Sequence, residues 1–343
     1  MKPKFIISSG TGWSATTPLW YTLELDNQYM HTGLKKEGEY LDFLSMSSSE
    51  RFYSERKQKK FSGKSRSERN RKWAKTVLQK NQELLKELEK NPDTVLTSDG
   101  VEGVFASVRK DCFFTQEEID DYVKNPLFEK YIQYYKTHWK HLQENNCPYQ
   151  AVGDFSNSNA QLPEKFCHEV VERLSEDFDV KVLMIVRDPI RRLWSEVNSF
   201  WGPESKEQWN SEEQLTEHFF DKIRRHDYWN YVEIIKKWER VCPIHVIIME
   251  QLWEGDQQER EKQRLSDFLD YDIKKIHQNV YCPDCGPNAP ELLGLQDQWT
   301  SDKYWLQDEL YNKVRPLFPV YQQWVDKYGS LPLYWGKPYN YEV

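Results

Sequence analysis

Five short apolar runs, each too brief for a helix and rich in β-branched residues, constrain this chain more than any other feature. They are Lys4–Ser8, Thr94–Thr97, Tyr149–Val152, Lys181–Val186 and Ile244–Met249. Continuous apolar runs of this length fit strands buried on both faces. Helical patterns separate most of them, and Glu212–Ile223, Tyr228–Arg240, Glu259–Phe268 and Trp305–Tyr328 carry apolar residues at helical spacing. Strand alternating with helix predicts an α/β fold in three layers, with a mostly parallel central sheet of about five strands. The stretch from about 45 to 148 is long and polar, with helical patches at 72–90, 116–124 and 127–143. It reads as a largely helical insertion in a single domain spanning 1–343.

Composition narrows the function classes. The mean hydropathy is −0.86, yet 14 Trp, 20 Tyr and 16 Phe supply the burial that a disordered chain lacks. No apolar run approaches the roughly 18 residues that span a bilayer. The N-terminal apolar run, Phe5–Ile7, is too short for a signal-peptide core, so a cytoplasmic protein without membrane partners is expected. The six Cys are scattered apart from Cys282 and Cys285, which is no disulfide framework. That pair lacks a second CxxC or HxxxH, so no metal site is expected. The net charge is −8, but residues 51–80 carry twelve Lys/Arg against two Glu. This segment suits an anionic polymer or is simply a solvated helix and loop. The strongly acidic remainder argues against nucleic acid as the partner.

The first strand runs into Ser8-Ser9-Gly10-Thr11-Gly12-Trp13-Ser14-Ala15-Thr16-Thr17. A strand, a glycine-containing loop and a hydroxyl-rich helix start together form an anion site, because backbone N–H groups and the helix dipole converge there. It is not GxxxxGK[ST], since no Lys precedes Thr16. The alternative is a plain strand–turn–helix with a capping hydroxyl. A second anion site follows the strand at 181–186. Arg187 stands at its carboxyl end, Asp188-Pro189 begins a helix, and Ser195 lies about two turns in. A guanidinium fork with a nearby hydroxyl suits a phosphate monoester at the place where open parallel sheets bind ligands. The alternative for Arg187 is an ion pair with Asp188 or another acid.

Taken together, these segments resemble the sulfotransferases that use 3′-phosphoadenosine 5′-phosphosulfate, especially those acting on carbohydrates such as heparan sulfate. Gly10-Thr11-Gly12-Trp13-Ser14-Ala15-Thr16-Thr17 is similar to the family's 5′-phosphosulfate loop, G-x-x-[KR]-[ST]-G-T-T. Arg187-Asp188-Pro189-Ile190-Arg191-Arg192-Leu193-Trp194-Ser195 matches its 3′-phosphate motif, R-D-P-x-x-R-x-x-S. Lys36-Glu37-Gly38-Glu39-Tyr40-Leu41-Asp42 resembles K-E-x-x-[FY]-F-D, Gly153-Asp154-Phe155-Ser156 resembles G-E-K-[ST]-P, and His245–Leu252 resembles a late strand ending in E-x-L.

The resemblance implies a P-loop-like fold and transfer of a sulfuryl group to a hydroxyl or amine, that of a saccharide among them. It implies Glu37 as base, Lys36 stabilising the leaving oxygen, and Asp154 orienting a cation or the acceptor. The loop 10–17 would hold the 5′-phosphosulfate and Arg187 with Ser195 the 3′-phosphate, and no metal is called for. The chain departs from the family at Trp13 and Phe155, where Lys or Arg is usual, at Ala15 in place of Gly, and at Tyr281–Gly286, where no cation appears. These departures keep two other readings open. One is a degenerate module that binds a nucleotide or polymer, and the other is a kinase-like phosphoryl transferase.

Overall fold

Side chains along β1 (Lys4–Ser8) alternate between two separate cores. Phe5 and Ile7 enter one and Ile6 the other. β4 (Asp179–Val186) does the same: Val182, Met184 and Val186 face the first core, Leu183 and Ile185 the second. Period-two alternation between two apolar cores is the signature of a sheet covered on both faces. The structure is a computed structural model that describes residues 2–12, 14–32, 128–199, 212–224, 230–253, 257–277, 312–332 and 335.

With β2 (Met30–His31), β3 (Ala151–Asp154) and β5 (Ile244–Ile248), the strands form one sheet in the order β2-β3-β1-β4-β5. Every pairing is parallel. The α/β expectation of about five parallel strands is met. One face is covered by α2 (Phe128–Glu144), α3 (Glu164–Ser175), α4 (Pro189–Ser199), α5 (Glu212–Arg224), α6 (Tyr231–Glu239) and α9 (Phe318–Tyr328). The other is covered by α1 (Thr16–Tyr21), α7 (Met249–Trp253) and α8 (Gln258–Leu269).

Several expectations shift in detail. The strand read at Thr94–Thr97 lies outside the described residues. The fifth strand described is Met30–His31, too short to leave an apolar run in the sequence. The strand read at Tyr149–Val152 begins two residues later, at Ala151. The helix read over Trp305–Tyr328 is broken, among its described residues, by a 3-10 turn at Arg315–Leu317, where Pro316 and Pro319 remove backbone donors. Helix α3 had gone unread, although Cys167, Val170, Val171 and Leu174 form a buried stripe at helical spacing.

Of the polar stretch 45–148, residues 45–127 lie outside the described residues, and the basic segment 51–80 goes with them. Its last helical patch is α2. Tyr131 and Tyr135 of α2 pack on Phe5 at ring-centroid distances of 6.3 and 4.7 Å, so this helix belongs to the core of the sheet.

Gly153 sets how closely β3 approaches β1. It pairs with Ile6, and a Cβ at 153 would stand 2.5 Å from the Ile6 carbonyl oxygen. That obstacle is backbone, which cannot rotate away. Gly153→Ala is therefore expected to cost ~1–3 kcal/mol as overpacking. The check is a fall in the urea midpoint with the slope unchanged.

Candidate functional site

Strand order places the site. The chain leaves β1 toward β2 and β3, then crosses back past β1 to reach β4. The carboxyl ends of β1 and β4 flank this reversal, where open parallel sheets form their ligand crevice.

After β1 the backbone continues alongside β4. Ser9 N–H donates to Leu183 O at 2.8 Å and Thr11 N–H to Ile185 O at 3.3 Å. Gly10 is required by packing, since a Cβ there would lie 2.7 Å from Thr16 Cγ2 and 2.9 Å from Ile185 Cγ2. Gly12 differs. Its nearest atom beyond an added Cβ is Asn157 Nδ2 at 3.8 Å, an ordinary contact, so packing alone does not demand a glycine at this buried position. Ala15 adopts a left-handed conformation, φ 62° and ψ 34°, as α1 begins. That conformation gives the Gly of the resembling motif a physical reason at this position.

Not every loop residue faces outward. Thr11 and Ser14 are fully buried and share a hydroxyl–hydroxyl bond of 2.7 Å, so both brace the loop from within. Thr16 is buried and Thr17 half-buried at the start of α1. Trp13, Lys36 and Glu37 lie outside the described residues.

At the end of β4, the Arg187 carbonyl accepts a bond from Tyr231 Oη at 2.7 Å. The Arg187 side chain is half-buried, and its Nε is buried with no hydrogen-bond partner. The alternative of an Arg187–Asp188 pair does not hold among the described residues. Asp188 Oδ1 caps α4 by accepting from Ile190 N and Arg191 N, both at 3.0 Å, and Oδ2 accepts from Tyr321 Oη at 3.1 Å. Ser195 is half-buried on α4. Glu250, wholly buried on α7, accepts from Asp188 N–H at 2.8 Å and Trp335 Nε1 at 3.1 Å. Burial, reinforced by the Asp188 charge and opposed by Arg187, pushes its carboxyl up to about 7.

One residue ties the two halves together. Arg192, 1% exposed, reaches back from α4. Its Nη1 donates to Gly12 O at 3.4 Å and its Nη2 to Glu196 Oε2 at 2.5 Å. Glu196 also accepts from Lys222 of α5 at 2.6 Å. On the same side, Trp238 Nε1 donates to Ser9 Oγ at 2.6 Å. Sequence reasoning gave Arg192, Glu250 and Tyr231 no role. Arg192 and Glu250 already stood inside quoted motifs, and that was the available signal.

The end of β3 turns two of the residues singled out in the sequence inward. Phe155 is wholly buried against the α1 side of the sheet, in the core. Asp154 is buried at 1% exposure. Its carboxylate accepts from Ser156 N at 2.9 Å, Ser156 Oγ at 2.5 Å and Tyr131 Oη at 3.1 Å. Burial raises its pKa and those donors pull it back. The carboxylate shapes the turn that carries Asn157 toward Gly12.

A buried polar chain lies beyond β2. His138 Nε2 and His31 Nδ1 are 2.9 Å apart, and His31 Nε2 lies 3.7 Å from Glu24 Oε1. Burial, then the neighbouring His31, holds His138 well below the ordinary histidine value. A depressed histidine contributes stability that is present above its unfolded pKa, about 6.5, and is lost as pH falls below it. Glu250 has the opposite sign: its raised carboxyl gives stability that is lost as pH climbs toward 7. Comparing wild type with His138→Gln isolates the histidine. The stability difference is expected to shrink by up to about 1.4 kcal/mol per pH unit below ~6.5, read from urea midpoints between pH 5 and 7.

Among the described residues no group of three or more His, Cys, Asp or Glu is placed to hold a metal ion, and Cys282 and Cys285 lie outside them. No described helix is long and apolar enough to cross a membrane.

The solved structure of a sulfotransferase from Alicyclobacillus acidocaldarius is similar to this chain. The TM-score is 0.45 at 13% identity, over 97% of this chain and 98% of that one. No family model matches the chain, and no curated protein matches it significantly.

Proposed function

We propose that the protein is a sulfotransferase using 3′-phosphoadenosine 5′-phosphosulfate, with a hydroxyl or amine acceptor that includes saccharides. One observation carries the reading. The residue that opens the 3′-phosphate motif, Arg187, stands at the carboxyl end of β4 with a buried, unpartnered Nε. It is one strand from the glycine-containing loop that follows β1 and leads into α1. An orphaned guanidinium N–H beside a strand–loop–helix turn on the adjacent strand fits a ligand with two phosphate-like groups.

When bound, the donor supplies the sulfuryl group. The chain's own residues then have distinct tasks. Arg187 and Ser195 hold the 3′-phosphate, which separates this donor from ATP. The Gly12 backbone, Thr16 and Thr17 hold the 5′ end. Glu37 takes the acceptor proton and Lys36 balances charge on the bridging oxygen. The proposal keeps the enzyme in the cytoplasm and gives residues 51–80 to an anionic acceptor polymer. A second reading, a nucleotide-holding module without catalysis, is favoured by Phe155, a buried apolar residue where the resembling motif carries a Lys.

Calorimetric titration tests the donor class. Adenosine 3′,5′-bisphosphate is expected to bind, and ATP with magnesium to bind at least tenfold more weakly. Preference for ATP would replace this reading with a kinase-like one. Tight bisphosphate binding with no turnover on any acceptor would support the module.

A further inference from the structure

Glu250 does nothing in the proposed chemistry, yet it is the best-buried acid beside the anion site. Its carboxylate holds the N–H of Asp188, the residue directly after Arg187. It thereby fixes the backbone from which the Arg187 side chain departs. Its other bond, from the Trp335 indole, anchors it to a segment distant in sequence. The groups facing it, among the described residues, are Asp188 and Arg187 from the end of β4 and Tyr231 from α6. Tyr321 of α9 is bonded to Asp188 and Trp335 packs beside it.

The charges here do not balance once an anion arrives. Arg187 contributes one positive charge, and the buried carboxylates of Asp188 and Glu250 contribute two negative ones. Arg192 and Lys222 share Glu196, which leaves one further positive charge on that side and still less than the anion brings. A phosphate monoester adds close to two further negative charges above pH 7. In a site of low dielectric such an excess is relieved by taking up a proton. The Asp188 carboxylate is held by three donated bonds. Glu250 takes two, and one of these, from Asp188 N–H, can remain on the unprotonated oxygen.

We propose that Glu250 is the positioning residue of the Arg187 anion site, and that a phosphate dianion binding at Arg187 brings one proton from solvent onto Glu250. The step forms one O–H bond on the carboxylate and consumes one proton from the buffer. No electron moves. The inference rests on the anion site proposed above, and it extends that reading from what binds to how binding depends on pH. A carboxyl already raised by burial to about 7 makes the proton inexpensive near neutrality.

The test is calorimetric titration of the whole chain with adenosine 3′,5′-bisphosphate, and separately with inorganic phosphate. Each is run at about pH 8 in two buffers of different ionisation enthalpy. The wild type is expected to take up about half a proton or more, with Kd rising about tenfold from pH 7 to 9. Glu250→Gln is expected to take up almost none and to show a nearly flat profile. Trp335→Phe removes one donor from the carboxylate, so its pH profile is expected to shift upward. Wild-type binding of the bisphosphate without proton uptake would overturn the role of Glu250 while leaving the donor reading intact. Phosphate bound in an Arg187-dependent way with proton uptake, but no bisphosphate binding, would keep Glu250 and remove the donor. Binding of neither ligand to wild type overturns both. Should Glu250→Gln fail to fold, the wild-type uptake and the Trp335→Phe shift still decide the matter.

Discussion

Arg187→Ala is expected to abolish measurable binding of adenosine 3′,5′-bisphosphate while leaving the fold intact. A guanidinium meeting a phosphate makes charge-assisted, two-pronged hydrogen bonds. Removing one partner of such a buried pair costs about 2–5 kcal/mol, or roughly 30- to several-thousand-fold in Kd. Stability should fall much less than affinity: Arg187 makes no ion pair with a described carboxylate, and Glu250, whose carboxyl its charge holds down, can take up a proton near neutrality. Asp188 is satisfied by two helix N–H groups and Tyr321, and Glu250 by Asp188 N–H and Trp335. Arg187→Lys keeps the charge but loses the Nε–H, so its affinity should fall between those of wild type and the alanine variant. The measurements are a titration and a thermal melt on the same preparation. Unchanged affinity would remove the 3′-phosphate assignment. Lost affinity with a large drop in melting temperature would recast Arg187 as a structural residue.

That separation of binding from stability could be anticipated at some positions and not at others. The buried strands at 4–8 and 181–186 were legible because a parallel strand covered on both faces is apolar at consecutive positions, and the half-buried edge strand β5 kept the same apolar run. Their order in the sheet was not, since nothing local says that β1 lies between β3 and β4. β2 was invisible, as two residues carry no period. Arg187 was legible because a strand, an Arg and Asp-Pro make a local pattern. The inward-facing roles of Thr11 and Ser14 were not, because a hydroxyl that binds phosphate and one that braces a loop look alike in one dimension. Asp154 is similar: its burial under Tyr131 depends on α2, which joins the core from more than twenty residues upstream. Ala15 shows the reverse. The resembling motif has Gly there, and the left-handed backbone at Ala15 supplies the reason.

Arg192 is where the largest loss of stability is expected. Its guanidinium, 1% exposed, is bonded to Glu196 and to the Gly12 carbonyl. Breaking a buried pair by deleting one member costs about 3–5 kcal/mol, since it strands the other charge. Here Lys222 remains on Glu196 at 2.6 Å, so Arg192→Met is expected at the lower end, about 3 kcal/mol. The Gly12 carbonyl loses its donor at the same time, which frees the loop that the ligand must find in place. Arg192→Met should therefore lower both the melting temperature and the affinity for adenosine 3′,5′-bisphosphate, whereas Arg187→Ala lowers mainly the second. A double-mutant cycle with Glu196→Gln apportions the effect. A coupling energy above about 1 kcal/mol is expected for groups in direct contact. Coupling near zero, with affinity unchanged in Arg192→Met, would mean that the loop is held by Ser9, Thr11 and Trp238 alone and that Arg192 merely fills space beneath it.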